Sequence, residues 1–127
     1  METAVVNTKE FILSLIEAFD NNDVESILEH LSDDIEWTII GHETLSGKNN
    51  IEEFFKAHPD MKMLSSTKDH MIIDGDSVAV NGEVDCVNES TGNRQDMFYC
   101  DIYDLKDGKV QRMTSYCVDK KQPEQEF

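Results

Sequence analysis

Apolar residues recur at three- and four-residue steps from Phe11 through Ile12, Leu15 and Ile16 to Phe19, the spacing of one stripe along an amphipathic helix. Asn7, with Glu10 three residues on, supplies a capping pair ahead of that stripe. Asp20-Asn21-Asn22 ends the helix, and Asn22 or Asp23 caps a second, shorter one whose apolar positions are Val24, Ile27, Leu28 and Leu31. After Ser32-Asp33-Asp34 the period changes. Ile35, Trp37 and Ile39 alternate with polar residues, which predicts a strand with those three on its buried side. Gly41 to Gly47 reads as a loop, and Asn49-Asn50 with Glu52-Glu53 opens a third helix that carries Ile51, Phe54 and Phe55 inward until Pro59 stops it. From Ser66 onward strands follow one another: Lys68–Ile73, the turn Asp74-Gly75-Asp76, Val78–Val87, the polar loop Asn88–Arg94, and a long hairpin from Gln95 to Val118 that turns at Lys106-Asp107-Gly108.

Helices first and one antiparallel meander afterwards is an α+β order. Strands this long twist and curl, so one face wraps the helices and a pocket while the other stays free. On the Gln95–Val118 hairpin, period-two geometry puts Met97, Tyr99, Asp101 and Tyr103 on one face and Phe98, Cys100 and Ile102 on the other. The first face places a carboxylate among rings, where loss of water raises its pKa toward the range in which it can trade protons with a carbonyl or enol. Counting back through the turns sets Asn81 across from Asp101 on one side and Met113 on the other. Tyr99, Tyr103 or Asn81 could equally hold Asp101 for structural reasons. The second face is too apolar for solvent, which predicts a homodimer through the outer sheet face.

With 127 residues, 39% hydrophobic and 30% charged, the chain has the size and balance of one folded domain, ordered over 7–118 with 119–127 as a tail. A formal charge of −16 sets it against nucleic acid and anionic membrane surfaces as partners. Cys86, Cys100 and Cys117 are odd in number and lack CxxC spacing, as expected of reduced thiols in a cytoplasmic protein. His30, His42, His58 and His70 show neither i,i+4 nor HxH spacing, so no metal is expected. No P-loop, GxGxxG or GxSxG is present, and no cofactor is expected.

The capped first helix, the run DNNDVESILEHLSDDIEWTI, the segment GHETLSGKNNIEEFF and the closing YDLKDGKVQRMTSYCV together resemble the SnoaL-like branch of the ketosteroid-isomerase-like superfamily, over Asn7 to about Val118. The resemblance implies the nuclear transport factor 2-like fold: a cystatin-like cone of three N-terminal helices on a strongly curved, mixed, mostly antiparallel sheet enclosing a pocket. It also implies an isomerase- or cyclase-type reaction on a small apolar molecule. By resemblance Asp101 falls where ketosteroid isomerases keep a protonated aspartic acid, and it is the acid/base candidate. The isomerase general base falls on Trp37 and its tyrosine on Leu15, while the arginine of the epoxide-hydrolase pattern falls on Tyr99. The implied pocket is walled by Trp37, Tyr99 and Tyr103 and floored by Met113, Ser115 and Cys117, with Met97 and Asn81 beside the acid and Phe54 and His58 from the third helix. Two alternatives stay open: binding without turnover, and a dimerising interaction domain whose cavity is filled by its own side chains.

Overall fold

A computed structural model of the chain describes residues 2–120, with side chains from Asn7 onward. Three helices, α1 (Glu2–Asp20), α2 (Val24–Glu29) and α3 (Lys48–Ala57), lie on one face of a seven-stranded sheet: β1 (Leu31–Ile39), β2 (Glu43–Ser46), β3 (Met61–Ser66), β4 (His70–Asp74), β5 (Ser77–Asn88), β6 (Arg94–Lys106) and β7 (Lys109–Asp119). The strand order is β2-β1-β7-β6-β5-β3, with β4 beside β3 along the same edge of β5. Every pairing is antiparallel except β1 with β7. The sheet does not close, which agrees with the α+β order of the elements and with the cone that the resemblance implies.

The stripe of α1 is the centre of the core. Ile12 and Leu15 are fully buried, Ile16 and Ala18 nearly so, and they pack with Ile27, Leu31, Ile35, Ile51, Val78, Val80, Tyr103, Val110 and Met113. The helix starts at Glu2, so Asn7 lies within it and caps nothing. Asp23 does cap α2, its carboxylate accepting the Ser26 N–H at 3.3 Å. Leu31, expected on the α2 stripe, instead opens β1, which starts four residues ahead of Ile35 and takes up the polar Ser32-Asp33-Asp34 through a register irregularity against β7.

Two strands are absent from the sequence reading. β2 lies inside the expected Gly41–Gly47 loop, and β3 precedes the expected Lys68 start, which falls at His70. Both are short and carry one or three apolar side chains, so neither shows a usable alternation. The step from β3 to β4 crosses Gly82 very closely: a Cβ there would stand 2.1 Å from the Thr67 carbonyl oxygen. Glycine is therefore required by steric contact rather than by φ. The tail expected over 119–127 is part strand and part anchored: Asp119 ends β7, and the Lys120 ammonium pairs with Glu83 and Asp96. Its remaining positions, 121–127, lie outside the described residues.

Candidate functional site

Asp101 sits mid-way along β6, between Val80 of β5 and Ser115 of β7. The inner face runs through Val80, Gly82 and Val84 on β5, Met97, Tyr99, Asp101 and Tyr103 on β6, and Met113, Ser115 and Cys117 on β7, as strand periodicity predicts. Helices cover the Tyr103 and Met113 end of this face, where both side chains are buried. Toward the other end cover is lost: Met97 and Tyr99 are half-buried and Cys117 is exposed. Asp101 lies at the boundary and keeps part of its surface open.

The register corrects two expected neighbours. Met113 pairs with Tyr103, not Asp101, and belongs to the core. Asn81 pairs with Cys100 and therefore points to the outer face, where its amide oxygen lies 3.0 Å from His70 Nδ1. An amide beside the acid is thus absent, and a hydroxyl takes its place. The hydroxyls of Ser115, the cross-strand partner of Asp101, and of Tyr103, two residues along the same face, both favour the ionised form of the Asp101 carboxylate. Burial raises the Asp101 pKa, the hydroxyls of Ser115 and then Tyr103 lower it, and the balance leaves it at about 6. Burial, followed by the neighbouring Asp101 charge, holds the Tyr103 hydroxyl well above its ordinary value, so it stays a donor.

The remaining expected wall residues are already engaged. Trp37 donates its indole N–H to Ser115 Oγ at 2.9 Å. Its ring stacks on Phe55, with centroids 6.0 Å apart, meets Phe54 edge-on at 5.7 Å and lies 5.8 Å from Phe19. Tyr99 donates its hydroxyl proton to the Thr67 carbonyl at 2.6 Å, so it is no free donor toward a ligand. Burial first, then Asp101 and Asp20, push its pKa to about 12. His58 is exposed at the end of α3, where Nδ1–H donates to the Phe54 carbonyl at 2.8 Å. With Phe54 it borders a surface hollow of about 470 Å³ between β2 and α3. The structure thus brings Asp101, Tyr103, Ser115 and Trp37 together, with Trp37 hydrogen-bonded to Ser115, leaves Met97, Tyr99 and Cys117 at the open end, and sets His58 and Asn81 apart.

A second hollow, of about 520 Å³, lies on the outer face among Ile72, Phe98, Cys100, Tyr116 and Val118. Neither hollow is bordered by Asp101. Among the described residues no three His, Cys, Asp or Glu side chains converge as metal ligands, the three cysteines are free, and no helix is long and apolar enough to cross a membrane.

A SnoaL-like domain profile matches residues 12–113. The chain belongs to the SnoaL-like family. No functionally curated protein matches it. Among solved structures, this SnoaL-like chain is similar to an NTF2-like protein of unknown function from Cytophaga hutchinsonii, at 24% identity over 86% of this chain and 97% of that one, with a TM-score of 0.67. It is similar to TerC, co-crystallised with polyporic acid, at 25% identity over 87% and 90% of the two chains, with a TM-score of 0.73. The LEH-like epoxide hydrolase of M. tuberculosis superposes with a TM-score of 0.78 over 89% and 84%, at 14% identity, a likeness of fold.

Proposed function

We propose that this SnoaL-like protein takes a small apolar carbonyl compound against the inner face of its sheet and moves a proton on it with Asp101. The observation that carries this reading is the environment of that carboxylate: partly open, unpaired with any cation among the described residues, and pushed up to about 6 by desolvation. A group with that pKa is mostly ionised at neutral pH yet basic enough to take a proton from a carbon beside a carbonyl. The same carboxyl then returns the proton to the enolate at another carbon, which is an isomerisation, or at the oxygen. Access runs along the end of the face bordered by Met97, Tyr99 and Cys117. TerC, similar over 87% of this chain, was co-crystallised with polyporic acid, which supports a ligand pocket on this fold. A reducing cytoplasmic setting suits the three free thiols.

The test is deuterium loss from a panel of α-deuterated cyclic and steroidal ketones. Wild type is expected to accelerate exchange over buffer, and Asp101→Asn to lose on the order of 100-fold or more of that rate. Exchange that survives the substitution undiminished removes the proposed role. A second reading, binding without turnover, is favoured by Trp37 and Leu15 at the positions of the isomerase base and tyrosine, since Leu15 is fully buried and Trp37 is tied to Ser115. Quenching of Trp37 fluorescence by a ketone that does not exchange selects it.

We propose further that two copies meet through the outer face. Phe98, Ile72, Tyr116 and Val118 all stand largely exposed on that face, around the 520 Å³ hollow, and an apolar patch of this kind on a highly charged chain is characteristic of an interface.

A further inference from the structure

The Trp37 indole and the Ser115 hydroxyl form a directed pair. Trp37 lies on β1 and Ser115 on β7, neighbouring strands in parallel register, with Trp37 opposite Met113 and Ile39 opposite Ser115. Ser115 is 5% exposed, so its hydroxyl has no water shell to satisfy it. An indole N–H can only donate, and at 2.9 Å it occupies a lone pair of Ser115 Oγ. The hydroxyl's single proton is then left to point elsewhere, and the acceptor beside it is Asp101, the cross-strand partner of Ser115. Tyr103, 1% exposed and two residues along the same face of β6, brings a second hydroxyl that favours the same carboxylate in its ionised form. Two hydroxyl protons converging on one carboxyl group stabilise its anion more than its acid, because a protonated carboxyl offers fewer lone pairs and a weaker acceptor.

We infer that Ser115, its proton directed by the Trp37 indole, is a positioning residue that holds Asp101 as a carboxylate ready to accept a proton. This deepens the proton-transfer reading above and rests on it for its catalytic meaning. It also assigns Asp101 the opposite resting state from the protonated acid that the ketosteroid-isomerase resemblance implies. Trp37, which by resemblance stands in the place of that enzyme's base, acts on the carboxylate through Ser115. The other ionisable groups around this corner are Tyr99 and Tyr103 on β6, Cys117 on β7, Cys86 on β5 and Asp20 at the end of α1. Each of these is neutral or anionic at pH 7, so none supplies the positive charge that could hold the carboxylate ionised in place of the two hydroxyls.

The experiment is a pH titration of the Asp101 carboxyl carbon by NMR in wild type, Ser115→Ala, Ser115→Thr and Trp37→Phe. Ser115→Ala removes the hydroxyl and is expected to move the midpoint upward by roughly half a unit to one unit. Trp37→Phe keeps the packing and is expected to move it in the same direction by less. Ser115→Thr keeps the hydroxyl and is expected to restore it. A purely structural serine would lower the unfolding midpoint and leave the titration where it was. An unmoved or lowered midpoint in Ser115→Ala, or one not restored in Ser115→Thr, overturns the inference. Should Ser115→Ala not fold, Trp37→Phe decides by the same sign. The two levels separate cleanly: a shifted midpoint in a protein that exchanges no ketone keeps the positioning pair and removes the catalytic reading, whereas ketone exchange lost in Asp101→Asn but with no shift in Ser115→Ala keeps the base and removes its partner.

Discussion

Replacing Asp101 with Asn separates what this residue does for function from what it does to stability. Its pKa rises from 3.8 to about 6 on folding, so between those values the native state holds a proton that the unfolded chain has released. Its contribution to stability is therefore fully present below pH 4 and lost as pH rises through 6. About two units correspond to about 3 kcal/mol, and partial solvent access to Asp101 reduces that to about 2 kcal/mol. Asn carries no charge to desolvate and, like the protonated carboxyl, is a weak acceptor for Tyr103 and Ser115, so its own contribution does not change with pH. The variant should thus gain stability relative to the wild type as pH rises. The sequence pI of about 4.3 makes titration below pH 5 impractical, and about half of the swing lies above it. Urea unfolding of both proteins from pH 5 to pH 8 is expected to show the difference in unfolding free energy move by about 1 kcal/mol in favour of Asn, a relative midpoint shift of roughly 0.5 M. A difference that stays flat across this range refutes the claim that the folded protein desolvates this carboxylate.

Two more outcomes follow from other parts of the fold. Gly82→Ala forces the Thr67 carbonyl away, and Thr67 is held by its N–H to the Glu83 carbonyl at 2.9 Å, by the Glu83 N–H to its own hydroxyl at 2.9 Å and by Tyr99 at 2.6 Å. Overpacking together with one lost hydrogen bond comes to about 2–4 kcal/mol, read as a fall of roughly 10 °C in Tm by calorimetry; a Tm within 2 °C of wild type, by the same estimate, would mean that the crossing over Gly82 is not there. Phe98→Asp places a charge in the middle of the exposed apolar face and is expected to turn a dimer into a monomer in size-exclusion chromatography with light scattering, while a wild type that already elutes as a monomer sinks the proposed interface.

The face on which Asp101 lies was legible in the sequence, because side-chain parity is a local property of a strand and survives any error in the turns. Its neighbours were not, because register is inherited from turns and bulges. A three-residue turn at Lys106-Asp107-Gly108 pairs Asp101 with Met113. The hairpin in fact closes on two residues, Asp107 and Gly108, both at positive φ, and a bulge between Asp104 and Leu105 slides the partner to Ser115. On the other side a one-residue slip through the 88–94 loop exchanged Asn81 for Val80, and a slip of one residue also changes the face. Helices α1 and α3 were visible from their stripes, whereas β2 and β3 pair at or near sheet edges and leave most side chains in solvent. Gly82 was a missed signal, since a glycine amid Val78, Val80 and Val84 marks a close backbone approach. The Trp37–Ser115 bond spans 78 residues, and no local pattern encodes a contact of that range.

The most direct test of the account is the titration of the Asp101 carboxyl carbon in the wild-type protein. A midpoint near 6 is the predicted result, and a midpoint near 4, that of an ordinary solvated aspartate, would contradict it.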